Sequence, residues 1–260
     1  MVSIFVLLYG DHFQLANRCL GAMAAAVGDE ADLRIGMNAV SEQTRNFVAA
    51  MVAAGSVPAR NVYDSTDNVH KYPLMRRMFH DRENPVTHPY IMWFDDDSFV
   101  RPQPAGTWLP RVLAEFSASS PVAMLGEVWR YGLGGNQHLW VRDQPWYAGK
   151  PVPAGHKVKF VTGGWWTIRT EVIRKYDWPV PELDHRGGDV MLGELFRQQE
   201  LGMKHFNHGV AINADAAGVS SRSPKRGYDS RPIGYSYIPG AVSVPIMPLR
   251  SRQHRLYYDL

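Results

Sequence analysis

The chain has 260 residues, 45% hydrophobic and 20% charged, with a formal net charge of +3, a balance that excludes disorder and collagen-like structure and suffices to bury a large core. Its longest apolar runs, Ile4–Tyr9 and Gly21–Gly28, fall short of the roughly 18 residues a membrane span needs. A single cysteine, Cys19, excludes an internal disulfide and a cysteine-based zinc site; it reads as a small buried hydrophobe and suits a reducing cytoplasm.

The opening run has no basic residue ahead of it and no small-residue cleavage pattern after it, so Ser3–Tyr9 reads as a strand, ended by Gly10-Asp11, rather than as a signal peptide. Helical spacing follows from Leu15 to Met23. Asp32–Ala39 reads as a second strand. Ser41-Glu42-Gln43-Thr44 opens a helix with Phe47, Val48, Met51 and Val52 on its apolar face, closed by Gly55. Asn61–Tyr63 is a third short strand. Leu74, Met75, Met78 and Phe79 mark a helix bounded by Pro73 and by Asn84-Pro85. Tyr90–Phe94 is a wholly apolar strand running into Asp95-Asp96-Asp97. This alternation predicts an α/β fold with a mostly parallel sheet flanked by helices. Ligands of such sheets bind beyond the carboxyl ends of the strands, where the three aspartates fall. The middle of the chain differs: Trp129, Trp140, Trp146, Trp165 and Trp166 lie among glycines and prolines. A helix from Glu182 or Asp189 through Gln199 and a short strand near Val210–Asn213 follow.

Three adjacent carboxylates repel one another, so a cation or strong donors must compensate them. Mg²⁺ or Mn²⁺ bridging to substrate phosphates is one solution, and a solvated acidic turn is the other. The Phe94–Ser98 cluster, delivered by Tyr90–Phe94 and preceded by the strand and loop Val2–Asp11, resembles the GT-A fold glycosyltransferases, in the D-D-D form of fringe-like and β3-glycosyltransferase-like enzymes. The resemblance extends over about residues 1–215 in element order and is local in motifs. It implies a catalytic domain over 1–218, with a nucleotide-sugar-binding half over 1–100 and an acceptor half over 101–218. An irregular basic C-terminal extension or lid, 219–260, would follow.

The same resemblance implies site residues. Asp95 would address the ribose or a metal-bound water, Asp97 would ligate the metal, and Asp96 would bond to nucleotide or backbone. Tyr9, Gly10 and Asp11 lie where the nucleobase sits, with Asn38 at a base-contacting position; each also suits an ordinary strand-to-helix turn. Asn68, Lys71, Arg76 and Arg77 precede the acidic strand, and one or two would reach the sugar or diphosphate. Gly163, Gly164, Trp165 and Trp166 correspond to the small-residue segment beneath donor sugar and acceptor, although paired tryptophans are more often core. Asp189, after Gly187-Gly188, occupies the general-base position, though the family's acidic pair there is reduced to Gly-Asp; a plain helix cap and a retaining reaction both stay open. A late histidine, His208 rather than His205, would complete the metal set and favours Mn²⁺ over Mg²⁺.

These features predict a cytoplasmic, metal-dependent hexosyltransferase, inverting, using a nucleotide sugar, UDP-sugar first among donors. The acceptor is read from charge. From Arg222 to Leu260 seven basic residues face two acidic ones, and basic groups with aromatic faces suit an anionic polymer. A hydroxymethylated base in DNA is therefore one expected acceptor, and a cell-surface or lipid-linked glycan the alternative. A catalytically inactive carbohydrate-binding module is the rival from another class. A nucleotidyltransferase would need a Gly-rich basic loop after strand one, and an aspartate phosphatase a D-x-D on that strand; both are missing.

Overall fold

The computed structural model describes residues 1–27, 31–117, 120–133, 137–183, 187–207 and 209–212. The extension 219–260 and His208 therefore lie outside the described residues. So do the strand expectation beyond Ile212 and Asp184–Arg186, just ahead of Gly187.

The first half follows the alternation in its sequence. Strand β1 (Val2–Tyr9), helix α1 (Phe13–Val27), strand β2 (Ala31–Asn38), helix α2 (Glu42–Ala53), strand β3 (Val62–Ser65), helix α3 (Lys71–Phe79) and strand β4 (Tyr90–Asp95) succeed one another. β1 pairs in parallel with both β2 and β4, and β2 with β3. Helix α3 starts before Pro73 instead of being bounded by it. Pro73 is the third helical residue, where the first-turn N–H groups have no partner within the helix, so the missing N–H costs nothing.

After the short strand β5 (Phe99–Val100) and helix α4 (Trp108–Ala114), the Trp-rich middle forms two long strands, β6 (Val122–Gly132) and β7 (Lys157–Arg169), linked through helix α5 (Gln137–Arg142). They are antiparallel to each other, and β7 is antiparallel to β4. Helices α6 (Thr170–Lys175) and α7 (Gly188–Gln198) and strands β8 (Gly202–His205) and β9 (Val210–Ala211) complete the described elements. The seven-stranded sheet runs β3-β2-β1-β4-β7-β6-β8, and β5 pairs with β9 in a separate ribbon.

Period-two alternation divides the core between the faces of this sheet. Ile4, Val6, Leu8, Met92, Phe94 and Trp165 join α1 and α4 on one face, with Ala16, Cys19, Leu20, Trp108 and Val112. Phe5, Leu7, Trp93 and Trp166 join α3, α6 and α7 on the other, with Leu74, Met78, Ile173 and Leu192. Trp165 and Trp166, consecutive on β7, thus enter different cores. No helix among the described residues is long and apolar enough to cross a membrane.

Candidate active site

The carboxyl ends of β1, β2 and β4 converge with β7 and the start of α7. At the end of β1, Gly10 turns the chain with φ +68°, which a residue with a Cβ adopts only at a cost. Its N–H bonds to Asn38 O at 3.2 Å. Asn38 Nδ2 donates to Asn68 Oδ1 at 2.9 Å, Asn38 Oδ1 accepts from Val69 N at 2.9 Å, and Asn68 Nδ2 donates to the Tyr9 hydroxyl at 3.3 Å. Tyr9, Asn38 and Asn68 are therefore brought together, and they hold the loop leading into α3 over the ends of β1 and β2. Asp11 is exposed beside them.

The three aspartates diverge. Asp96 Oδ2 accepts from Tyr9 N at 2.9 Å, so it binds backbone, tying β4 to β1. Asp95 Oδ2 accepts from Lys71 Nζ at 2.7 Å and its Oδ1 from Trp93 Nε1 at 2.9 Å. Lys71 also donates to Gly163 O at 2.8 Å, bridging β4 and β7 from the start of α3. Asp97 is only 3% exposed, at a turn closed by Ser98 N bonding to Asp95 O at 2.9 Å.

Asp189 is the second residue of α7, half-buried, and its Oδ1 accepts the Val190 N–H at 2.9 Å. Burial pushes its carboxyl above the ordinary Asp value, the Lys71 charge opposes this, and Asp95 reinforces it. A Cβ built on Gly163 would meet Lys71 Nζ at 3.0 Å and Asp189 Oδ2 at 3.9 Å, so the lysine and the carboxylate overlook the same glycine. A cavity of about 10 Å³ lies among Lys71, Tyr72, Gly163, Trp166 and Asp189, enough for one water at most; a sugar has to approach from outside it.

The other expected residues fall elsewhere. Trp165 and Trp166 are 0% and 3% exposed. Trp166 stacks on Trp93 with centroids 6.0 Å apart, and Trp165 lies among Phe94, Trp108 and Phe206. They are core residues, because alternation on a sheet covered on both faces leaves neither ring a solvent face, and neither can stack on a sugar or a base. Gly164 is buried between them and Gly163. Arg77 donates to Asp64 O at 3.3 Å and lines another cleft, of about 590 Å³, with Arg76, Arg174 and Asp177. Arg76 is committed there to Asp177, at 2.9 and 3.1 Å. Sequence reasoning passed over Trp93, whose indole holds Asp95, and Tyr72, whose ring adjoins Gly188. The i, i+2 spacing of Trp93 and Asp95 on one strand face was the available signal for the first.

Carboxylate oxygen suits Mg²⁺ or Mn²⁺, which are held by one or two carboxylates together with substrate phosphates and water. Asp97, 3% exposed at the turn after β4, supplies a carboxylate of that kind. Asp95 already accepts one N–H at each oxygen, so it fits a place reached through water. Among the described residues no three His, Cys, Asp or Glu side chains converge on one point. The β5–β9 ribbon sets 209–211 alongside 99–101, with Arg101 N bonding to Gly209 O at 2.7 Å.

No protein-family model matches the chain and no curated protein matches it in sequence. Solved structures do match its fold. GalNAc-T7 with UDP, GalNAc and Mn²⁺ superposes with a TM-score of 0.60 at 11% identity, over 92% of this chain and 46% of that one. The mannosyltransferase PcManGT from Pyrobaculum calidifontis, in complex with GDP-Man and Mn²⁺, gives 0.52 at 12% identity over 79% and 54%. S. aureus TarS 1–349 gives 0.52 at 13% identity over 80% and 58%. The chain thus spans about half the length of the proteins it matches. Its fold is the GT-A fold of nucleotide-sugar glycosyltransferases.

Proposed function

We propose that this protein is a metal-dependent glycosyltransferase that moves a hexose from a nucleotide sugar to an acceptor hydroxyl, with inversion at the anomeric carbon. One observation carries the reading: where the end of β4 meets β7 and the start of α7, Lys71 holds both Asp95 and the Gly163 carbonyl, and Asp189 overlooks the same glycine. Asp97 would hold Mn²⁺ or Mg²⁺, with Asp95 reached through water and His208, which lies outside the described residues, as the further ligand that the resemblance to the GT-A enzymes implies. When bound, the cation supplies Lewis-acid neutralisation of the departing diphosphate. Asp189, made more basic by burial, takes the acceptor hydroxyl proton as the acceptor oxygen bonds to the anomeric carbon and the bond from that carbon to the diphosphate breaks. Tyr9, Asn38 and Asn68 border the nucleobase end, and UDP is the expected nucleotide.

A thermal-shift panel of UDP, GDP, TDP and CDP, each with and without Mn²⁺, tests the reading. UDP with Mn²⁺ should raise the melting point most; no nucleoside diphosphate response under any condition would favour a carbohydrate-binding module.

A DNA acceptor rests on the seven basic residues between Arg222 and Arg255. It has lost the support of Trp165 and Trp166, which are core. Binding to hydroxymethylated DNA should weaken steeply with log salt, and removing 250–260 should flatten that slope. No binding at low salt alongside intact donor binding would leave a glycan as the acceptor.

A further inference from the structure

Tyr72 and Gly188 meet although more than a hundred residues separate them. Tyr72 is the second residue of α3 and is 6% exposed. A Cβ on Gly188 would lie 2.2 Å from its Cζ and 2.6 Å from both Cε atoms, closer than side chains approach. Cζ, which carries the phenol oxygen, is the ring atom nearest Gly188, so that oxygen lies beside the backbone N–H groups of Gly188 and Asp189. These belong to the first turn of α7, whose N–H groups have no partner within the helix, and Gly187 at the N-cap offers no side-chain cap. Burial, then the charges of Asp189 and Asp95, hold the phenol well above its ordinary pKa, so the oxygen stays neutral.

We propose that Tyr72 is a positioning residue that caps α7 from a neighbouring helix and sets Asp189 over Gly163. The proposal rests on the reading of Asp189 as the general base and adds the device that locates it. Its neighbour Lys71 holds Asp95 and the Gly163 carbonyl. The start of α3 thus carries two adjacent residues, one locating the donor-side carboxylate and the other the acceptor-side one. A larger residue at 188 is excluded by the tyrosine ring, which accounts for glycine immediately before the base.

Tyr72→Phe keeps the ring against Gly188 and removes only the accepting oxygen. Nucleoside diphosphate release would be followed with UDP-glucose, UDP-N-acetylgalactosamine and GDP-mannose in Mn²⁺. For the donor turned over, kcat should fall about ten- to a hundredfold, the usual cost of slightly misplacing a reacting group, while donor KM stays unchanged. A wild-type kcat in Tyr72→Phe, with Asp189→Asn strongly impaired, would overturn the positioning role. Wild-type turnover in Asp189→Asn would instead remove the base reading on which it rests. A second measurement needs no activity: melting of Gly188→Ala, Tyr72→Leu and the double variant. Leu vacates the space an alanine Cβ requires, so the double variant should melt higher than Gly188→Ala alone. A double variant lowered by both single effects together would overturn the contact.

Discussion

The two ends of the central sheet both carry buried polar groups, and they treat charge in opposite ways. At the amino ends of the strands Asp32 accepts from Arg34 Nε at 2.7 Å, Asn61 Nδ2 at 2.7 Å and Ser3 Oγ at 3.0 Å. Arg34 turns its remaining donors to Asn84 O at 2.6 Å and Pro85 O at 3.1 Å. One anion meets one cation. Burial works to raise the Asp32 carboxyl, but the hydrogen bonds and the Arg34 charge outweigh it and the pKa falls. At the carboxyl ends Lys71 pairs with Asp95 and its charge also reaches Asp189, whose carboxyl burial raises against the pull of that one ammonium. The matched end fastens β1, β2 and the loop before β4. At the other end burial prevails over the one ammonium and the Asp189 carboxyl is raised, a property on which the proposed metal-assisted, base-catalysed transfer would draw.

The comparison can be broken at either end. Asp97→Ala should have the largest effect, abolishing transfer and the Mn²⁺ dependence of nucleotide binding, as read by calorimetry with UDP; wild-type turnover in the purified variant would contradict the metal assignment. Asp189→Asn should lower turnover by roughly two to four orders of magnitude while donor affinity holds. Loss of donor binding or of the fold would point to a helix cap instead.

Arg34→Met should act on stability alone. It leaves the Asp32 charge without its cation, a change that costs about 3–5 kcal/mol in buried pairs, or a melting point lower by roughly 10 °C. The folded fraction should turn over normally. If the variant instead lost activity without loss of stability, the division of labour between the two ends would be wrong.

The smallest effects are in pH dependence, and they have opposite signs. The folded pKa of Asp32 lies below 3.8, so its stabilisation is complete above that value and is lost as pH falls through the folded pKa. The Asp189 pKa is raised above 3.8, so its contribution is complete below that value and is lost as pH rises through the folded pKa. Denaturation series should therefore show Asp189→Asn gaining on wild type as pH rises, and Asp32→Asn losing. In the active protein the acid limb of kcat should lie above 3.8 and vanish in Asp189→Asn.

The first hundred residues were readable because strand and helix periodicities are local signals, and Tyr90–Asp95 carried its acidic end visibly. The β6–β7 pair was not. Its strands lie among glycines, prolines and tryptophans, and their antiparallel pairing, with a register shift between Gly126 and Val128, depends on partners some thirty residues away. The two tryptophans of β7 illustrate the difference. A flat indole suits a sugar or a core equally well in sequence, and the helices covering both faces of the sheet decided for the core.

The amino-acid sequence by itself determined the order of elements through β4 and the place of Asp95, Asp96, Asp97 and Asp189 at a strand end and a helix start, since these follow from side-chain period and chain breaks. Only the tertiary structure decided which carboxylate each cation and N–H serves. Lys71 chooses Asp95, Tyr9 N chooses Asp96, and Tyr72 closes on Gly188. Those pairings join α3, β1, β4, β7 and α7 across the fold, and no local pattern in a chain encodes a contact whose energy arises only once both partners are buried together.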